Sequence, residues 1–182
     1  MQLASKVRAP FCRVDRTVNR LSGYVGMTYF ALLPSLLIGA VASARSMTPM
    51  ATIAMVRQAG GKLPGRLVLL DHPLFKLGAL AMGAGELLGD KMKSAPDRTV
   101  FLGLLARVMS AGIAGAALAP RGREKAGAAL AVATAVPLAY ATLAGRKRAM
   151  TAVGQTESGL IEDALVMAAG AAVVTLAMRS KR

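Results

Sequence analysis

The sequence predicts an all-α fold: a polytopic transmembrane helix bundle of about five to six membrane segments, one of them short or re-entrant. Three observations carry this. The 182 residues are 54% hydrophobic and only 18% charged, with mean hydropathy +0.49, and soluble domains carry about 25% charged residues. The apolar residues are mainly Ala, Leu, Gly, Val and Met, with 4% aromatics and no Trp, a poor composition for strands and a good one for helices. Finally, Lys and Arg fall in short clusters between uncharged runs, as they do where helices end at a membrane surface.

The net charge of +14 and the pI of about 11.1 admit two partners, nucleic acid or an anionic membrane surface. Basic residues that punctuate apolar runs, without stacking aromatics, point to anionic lipid at the basic loops and away from nucleic acid. The single cysteine, Cys12, excludes an intramolecular disulfide and a cysteine-built zinc site. The single histidine, His72, excludes a multi-histidine metal site. No cofactor is expected.

Residues 1–22 place Val7, Phe11, Val14, Val18 and Leu21 at alternating four- and three-residue spacing, opposite Arg8, Arg13, Arg16 and Arg20. This pattern predicts a basic amphipathic helix lying at the membrane interface. A targeting peptide is the competitor, but no small-residue cleavage site follows a compact apolar core. The rest, 23–182, reads as one transmembrane helical domain. Residues 23–44 form an uncharged run of 22, long enough to span the hydrocarbon, with Pro34 inside it. Thr48-Pro49 is a helix-start signal, a hydroxyl to cap followed by a residue with no amide to satisfy. The helix after it ends by Gly60-Gly61. Its roughly 11 residues reach about 17 Å, short of a bilayer. It is either a half-helix or a crossing completed by non-helical backbone.

Residues 60–65 (GGKLPG) read as a turn. Asp71-His72-Pro73 opens a helix to about Leu88, with Asp71 as a candidate cap. Residues 90–98 (DKMKSAPDR) form a charged connection. Further spans are expected at 99–119, interrupted only by Arg107, at 126–144, and at 159–178. A polar connection over 145–158 is expected to precede the last of these.

Charge asymmetry bears on the number of crossings. Six crossings put fourteen Lys/Arg on the side of both termini and seven on the other, whereas five give eleven against ten. Charge therefore favours six crossings with both termini cytoplasmic, while length makes the second crossing suspect. Six would divide the chain into two three-helix units in opposite orientations, as in inverted-repeat transporters.

Small residues at Gly85-x-x-x-Gly89, Ala111-x-x-x-Gly115 and 168–172 (AAGAA) form flat strips that let helices approach closely. They also offer faces for a homo-oligomer. Charges within or beside the spans say more about function. A charge at the bilayer centre costs at least about 2.5–3.5 kcal/mol, so it persists where it is paired, wet or functional. Glu86 and Asp90 are four apart and share a helix face, flanked by Gly85 and Gly89. Glu162 and Asp163 are expected in the first turn of the last helix, where its dipole favours anions. Arg45, Glu86, Asp90, Arg107 and Glu162 are expected to converge on a polar cluster between helices. Thr48, Lys91, Asp97, Arg98 and Asp163 lie beside them in the sequence. Lys76 reads as a snorkelling residue and His72 as an interfacial one.

No GxSxG, HExxH, P-loop or GxGxxG motif is present, and no enzyme activity is expected. The strings ARSMTPMA (44–51), GELLGDKMKSAPDRT (85–99), GLLARVMSAGIAGAALA (103–119) and GLIEDALV (159–166) resemble the bacterial membrane family called domain of unknown function 4126. The resemblance covers roughly residues 24–178. It rests most on the Arg-Ser-x-Thr-Pro turn, the Gly-Glu-x-x-x-Asp-Lys stretch with its later Pro-Asp-Arg, and the late Glu-Asp. It implies a multi-pass protein of the bacterial inner membrane and implies no activity. Two functional expectations stand side by side. One is a transport module for a proton, an ion or a small polar solute, with an intramembrane charged cluster. The other is a structural or assembly protein whose buried ion pairs only set helix packing.

Overall fold

The computed structural model describes residues 30–65, 67–89 and 101–179, and every regular element among them is helical. The interfacial segment predicted over 1–22 and the charged connection over 90–98 lie outside the described residues. Six α-helices follow in order: α1 (Phe30–Ala44), α2 (Thr48–Gln58), α3 (Pro73–Gly89), α4 (Phe101–Leu118), α5 (Glu124–Val153) and α6 (Gln155–Arg179). A short 3-10 turn, Val68–Asp71, precedes α3. Three of the helices, α4, α5 and α6, are long and apolar enough to cross a membrane. Among the described residues that is fewer than the five to six segments expected, because α1 is described only over Phe30–Ala44, α2 has 11 residues and α3 has 17.

Side-chain contacts show successive helices reversing direction. Ser35 of α1 meets Gly115 near the end of α4, and Ser43 meets Arg107 nearer its start, so α1 and α4 are antiparallel. Along α6, Asp163 touches Arg45, Gly170 touches Thr52, and Met178 touches Gly61. The segment from Arg45 through α2 therefore runs back alongside α6. Helix α3 returns against α2, with Arg57 beside Asp71 at one end and Ser46 beside Glu86 at the other. The bundle thus has two ends. One carries residues 59–65, Arg121 and the finish of α6. The other carries the α1–α2 turn and Gly154.

Helix α2 stops where predicted. Gly60 takes φ +78°, a left-handed conformation that glycine adopts without a Cβ penalty. Beyond it the non-helical backbone continues to Gly65, whose amide donates to the Ala117 carbonyl at 2.9 Å. A Cβ on Gly65 would lie 2.3 Å from the Ala116 carbonyl oxygen, so only glycine permits this docking. The segment is a short helix followed by non-helical backbone, a form that both alternatives share.

The polar connection expected over 145–158 is instead helix. α5 continues to Val153, and α6 begins at Gln155. The whole reversal rests on Gly154, at φ +91° and ψ 163°, a region essentially closed to other residues. Local polarity misled here because Arg146, Lys147 and Arg148 are good helix formers on an exposed stretch of helix.

Close packing uses small residues, though not all the expected ones. A Cβ on Gly115 would sit 2.5 Å from both the Gly127 carbonyl oxygen and the Ala131 Cβ, and one on Gly39 would sit 2.3 Å from the Ala131 carbonyl oxygen. These positions bring α1, α4 and α5 together. The 168–172 strip acts through Gly170 alone, against Thr52 of α2, whereas Gly85 has open space in front of it. The close approach predicted at Gly85 occurs instead at Gly83, against Ala51.

The radial distribution of residue types is that of a lipid-exposed protein. Arg45, Arg107 and Asp163 are buried, with Ser35, Ser43, Thr48, Thr52 and Ser110. Leu74, Leu77, Leu88, Phe101, Leu102, Ile161 and Leu165 each have more than half their surface exposed. Water would penalise this arrangement; hydrocarbon favours it, since an exposed leucine costs nothing there and a polar group does. The chain is therefore read as membrane-embedded.

Candidate functional site

The site is the turn between α1 and α2, where the backbone leaves one helix and enters another within Arg45, Ser46 and Met47. Such a turn exposes the last carbonyls of α1 and the first amides of α2. In a membrane both sets must find protein partners.

On the amide side the partner is Glu86 of α3. Its Oε1 accepts from the Ser46 amide at 2.7 Å and the Ser46 hydroxyl at 2.6 Å, and its Oε2 accepts from the Met47 amide at 2.7 Å. A carboxylate from another helix thus caps α2, at the end where the helix dipole favours negative charge. This corrects the expected role of Thr48. Met47 is the N-cap, and Thr48 is already the first helical residue, buried with Pro49. Thr48 instead accepts at its carbonyl from the Thr52 hydroxyl, 2.8 Å away.

On the carbonyl side the partner is Arg107 of α4. Its Nε donates to the Ser43 carbonyl at 3.1 Å, and one terminal nitrogen donates to the Gly103 carbonyl at 3.1 Å. The Thr142 hydroxyl of α5 also donates to the Ser43 carbonyl, at 3.2 Å. Arg107 therefore joins the cluster by binding the C-terminal end of α1, where a cation is favoured.

Between the two ends sits Arg45, 1% exposed. Its guanidinium forms an ion pair with Asp163 of α6 and donates to the Glu86 backbone carbonyl at 3.3 Å. Beside it, Arg146 of α5 pairs with Glu162 at 3.1 Å. The two acids were expected in the first turn of their helix. Because α6 begins at Gln155 they lie in its third turn, so arginines rather than the helix dipole balance them.

The structure therefore brings together Arg45, Glu86, Arg107 and Asp163 around one turn, with Thr48 beginning the helix that leaves it, while Glu162 pairs with Arg146 of α5. Asp90, Lys91, Asp97 and Arg98 fall outside the described residues. Sequence reasoning missed Arg146, Ser46 and Thr142. Arg146 did leave a signal: it lies eight residues before Gly154 and Glu162 eight after it, and a hairpin hinged on that glycine sets equidistant residues opposite one another.

At the other end of the bundle, Asp71 does not cap α3. Its carboxylate pairs with Arg57 at 2.7 Å, and the Leu74 amide donates to the His72 Nδ1 at 3.3 Å. His72 thus takes the capping role. Among the described residues no group of His, Cys, Asp and Glu is placed to hold a metal ion. Comparison of the chain with protein-family models, with curated proteins and with solved structures finds no match.

Proposed function

We propose that this chain is a six-crossing protein of the bacterial inner membrane, with both termini cytoplasmic, that moves a proton, an ion or a small polar solute through its α1–α2 turn. The observation that carries this reading is the convergence of Arg45, in the α1–α2 turn, with Glu86, Arg107 and Asp163, from three different helices, on the helix ends that meet there. Free helix ends are ready-made partial charges at which an ion can bind, and here they are buried among charged side chains. The alternating directions of the six helices support six crossings. Counted along the sequence for six crossings, fourteen Lys/Arg fall on the side of both termini and seven on the other, which supports cytoplasmic termini. Anionic lipid at the basic end and bilayer lipid around the apolar faces are the expected partners. The resemblance to domain of unknown function 4126 agrees with this placement and rests on the quoted strings alone.

A specific observation favours a second reading, in which the same charges only fix helix register. Both carboxylate oxygens of Glu86 are engaged by the turn, and Arg45 and Asp163 satisfy each other. Ion pairs of this kind can hold packing without moving anything.

Glu86→Gln separates the two readings, measured as folded yield in detergent and as ion and solute flux in proteoliposomes. Transport predicts flux lowered at least about tenfold, with a yield close to that of the unaltered protein. A collapsed yield in the variant, together with no flux in the unaltered protein, assigns the cluster to packing.

A further inference from the structure

At the end of the bundle away from the α1–α2 turn lies a cavity of about 400 Å³. Ala31 and Pro34 of α1, Pro64, Leu118 of α4 and Ala177 of α6 line it, together with Arg121. Its frame is held by backbone: the amide of Gly65, next to Pro64, donates to the carbonyl of Ala117, next to Leu118, at 2.9 Å. The volume falls in the range of about 300–1,000 Å³ typical of small-molecule sites. Pro34, Leu118 and Ala177 are buried and Arg121 is exposed, so the lining passes from apolar in the interior to cationic at the surface.

The surroundings extend this division. Next to Ala31, Pro34 and Ala177 in the chain stand Phe30, Leu33 and Leu176, all exposed, as suits helices in hydrocarbon. Lys62, Arg123 and Arg179 are exposed as well, each two residues from Pro64, Arg121 or Ala177. Among the described residues, neither Arg121 nor any of these three cations pairs with a carboxylate. Glu124, in the first turn of α5, is the acid nearest to them in the sequence, so the balance stays positive. The apolar wall favours a hydrocarbon occupant, and the cations favour an anion above it. An anionic phospholipid carries both on one molecule, and basic pockets between helices at a membrane surface suit such headgroups.

We infer that this cavity binds one anionic phospholipid from the leaflet at the basic end, with an acyl chain against Pro34, Leu118 and Ala177 and the phosphate paired with Arg121. This gives the anionic-lipid partner named above a defined site. It rests on the membrane reading of the chain and not on transport.

The test is native mass spectrometry of the full chain in detergent. The chain is titrated separately with dioleoyl phosphatidylglycerol, with dioleoyl phosphatidylcholine, and with glycerol 3-phosphate, which has the phosphate but no acyl chains. One phosphatidylglycerol per chain should be retained, with about fivefold preference over phosphatidylcholine. Arg121→Gln should remove most of that preference. Arg148→Gln, which deletes an exposed cation at the opposite end, should leave it intact. Equal retention of the two lipids, or equal losses in the two variants, overturns the site and leaves only diffuse attraction. Glycerol 3-phosphate bound as tightly as the lipid overturns the role of the cavity. No retained lipid, or a second copy of the chain retained in its place, overturns the inference and leaves the Glu86→Gln flux experiment untouched. A chain that stays monodisperse once detergent is removed takes away the membrane reading and this site with it.

Discussion

Arg45 shows how much a single buried side chain can hold in place. Its guanidinium is withdrawn from solvent and meets both a carboxylate from α6 and a carbonyl from α3. Removing one member of a buried pair strands the other, which typically costs about 3–5 kcal/mol, whereas replacing both with apolar residues of similar size is often neutral. Asp163→Ala should therefore destabilise the protein by about that amount. Arg45→Met combined with Asp163→Leu should recover most of the loss, as read by unfolding in mixed detergent. A double variant as unstable as the sum of its parts would show that Arg45 is held chiefly by other groups. Glu86 differs in kind, because two of its three partners are backbone amides, the third being the Ser46 hydroxyl. Its role as a cap was invisible in the sequence, where Thr48-Pro49 gave the stronger local signal. The start of α2 was legible, but the residue that satisfies it stands 39 positions away from Met47.

At the scale of elements, helix contacts are decided by where backbones touch. Gly39 and Gly85 look alike in the sequence, each in an apolar run beside other small residues. Their surroundings are opposite: the first lies against the Ala131 backbone and the second faces open space. Gly39→Ala should lower stability by about 1–3 kcal/mol through overpacking. Gly85→Ala should be neutral, or stabilising by about 0.5–1 kcal/mol through helix propensity. Thermal unfolding of the two variants in one detergent checks the pair; equal effects would mean that α1 and α5 are not in backbone contact. The 3.6-residue pattern and the uncharged runs made the helices readable. Their partners were not, since a small residue marks a face that can be approached and not the helix that approaches it. The α5–α6 hairpin was misjudged for a related reason. Its basic stretch looked like a loop, and only the glycine that breaks it carried the true boundary.

For the whole molecule, the decisive feature is that Arg45, Arg107 and Asp163 are buried inside an apolar core while many leucines and phenylalanines face outward. The two ends of the bundle should then lie on opposite sides of a membrane. In a Cys12→Ser background, Lys125→Cys and Arg148→Cys should react with an impermeant thiol reagent from opposite faces of inside-out and right-side-out vesicles. Labelling of both from one face would contradict six alternating crossings.

The sequence alone determined the helical class, the lipid environment and the identity of the costly charges, because each follows from composition and local periodicity. It also located the short second helix and the glycines that end it. Only the tertiary structure decided that Arg45 pairs with Asp163 and Glu162 with Arg146, that Glu86 caps a helix it does not belong to, and that an apolar cavity forms beside Arg121. Those outcomes depend on which helix faces which. In a membrane, packing and polar satisfaction between distant segments set that choice, and no local pattern along the chain records it.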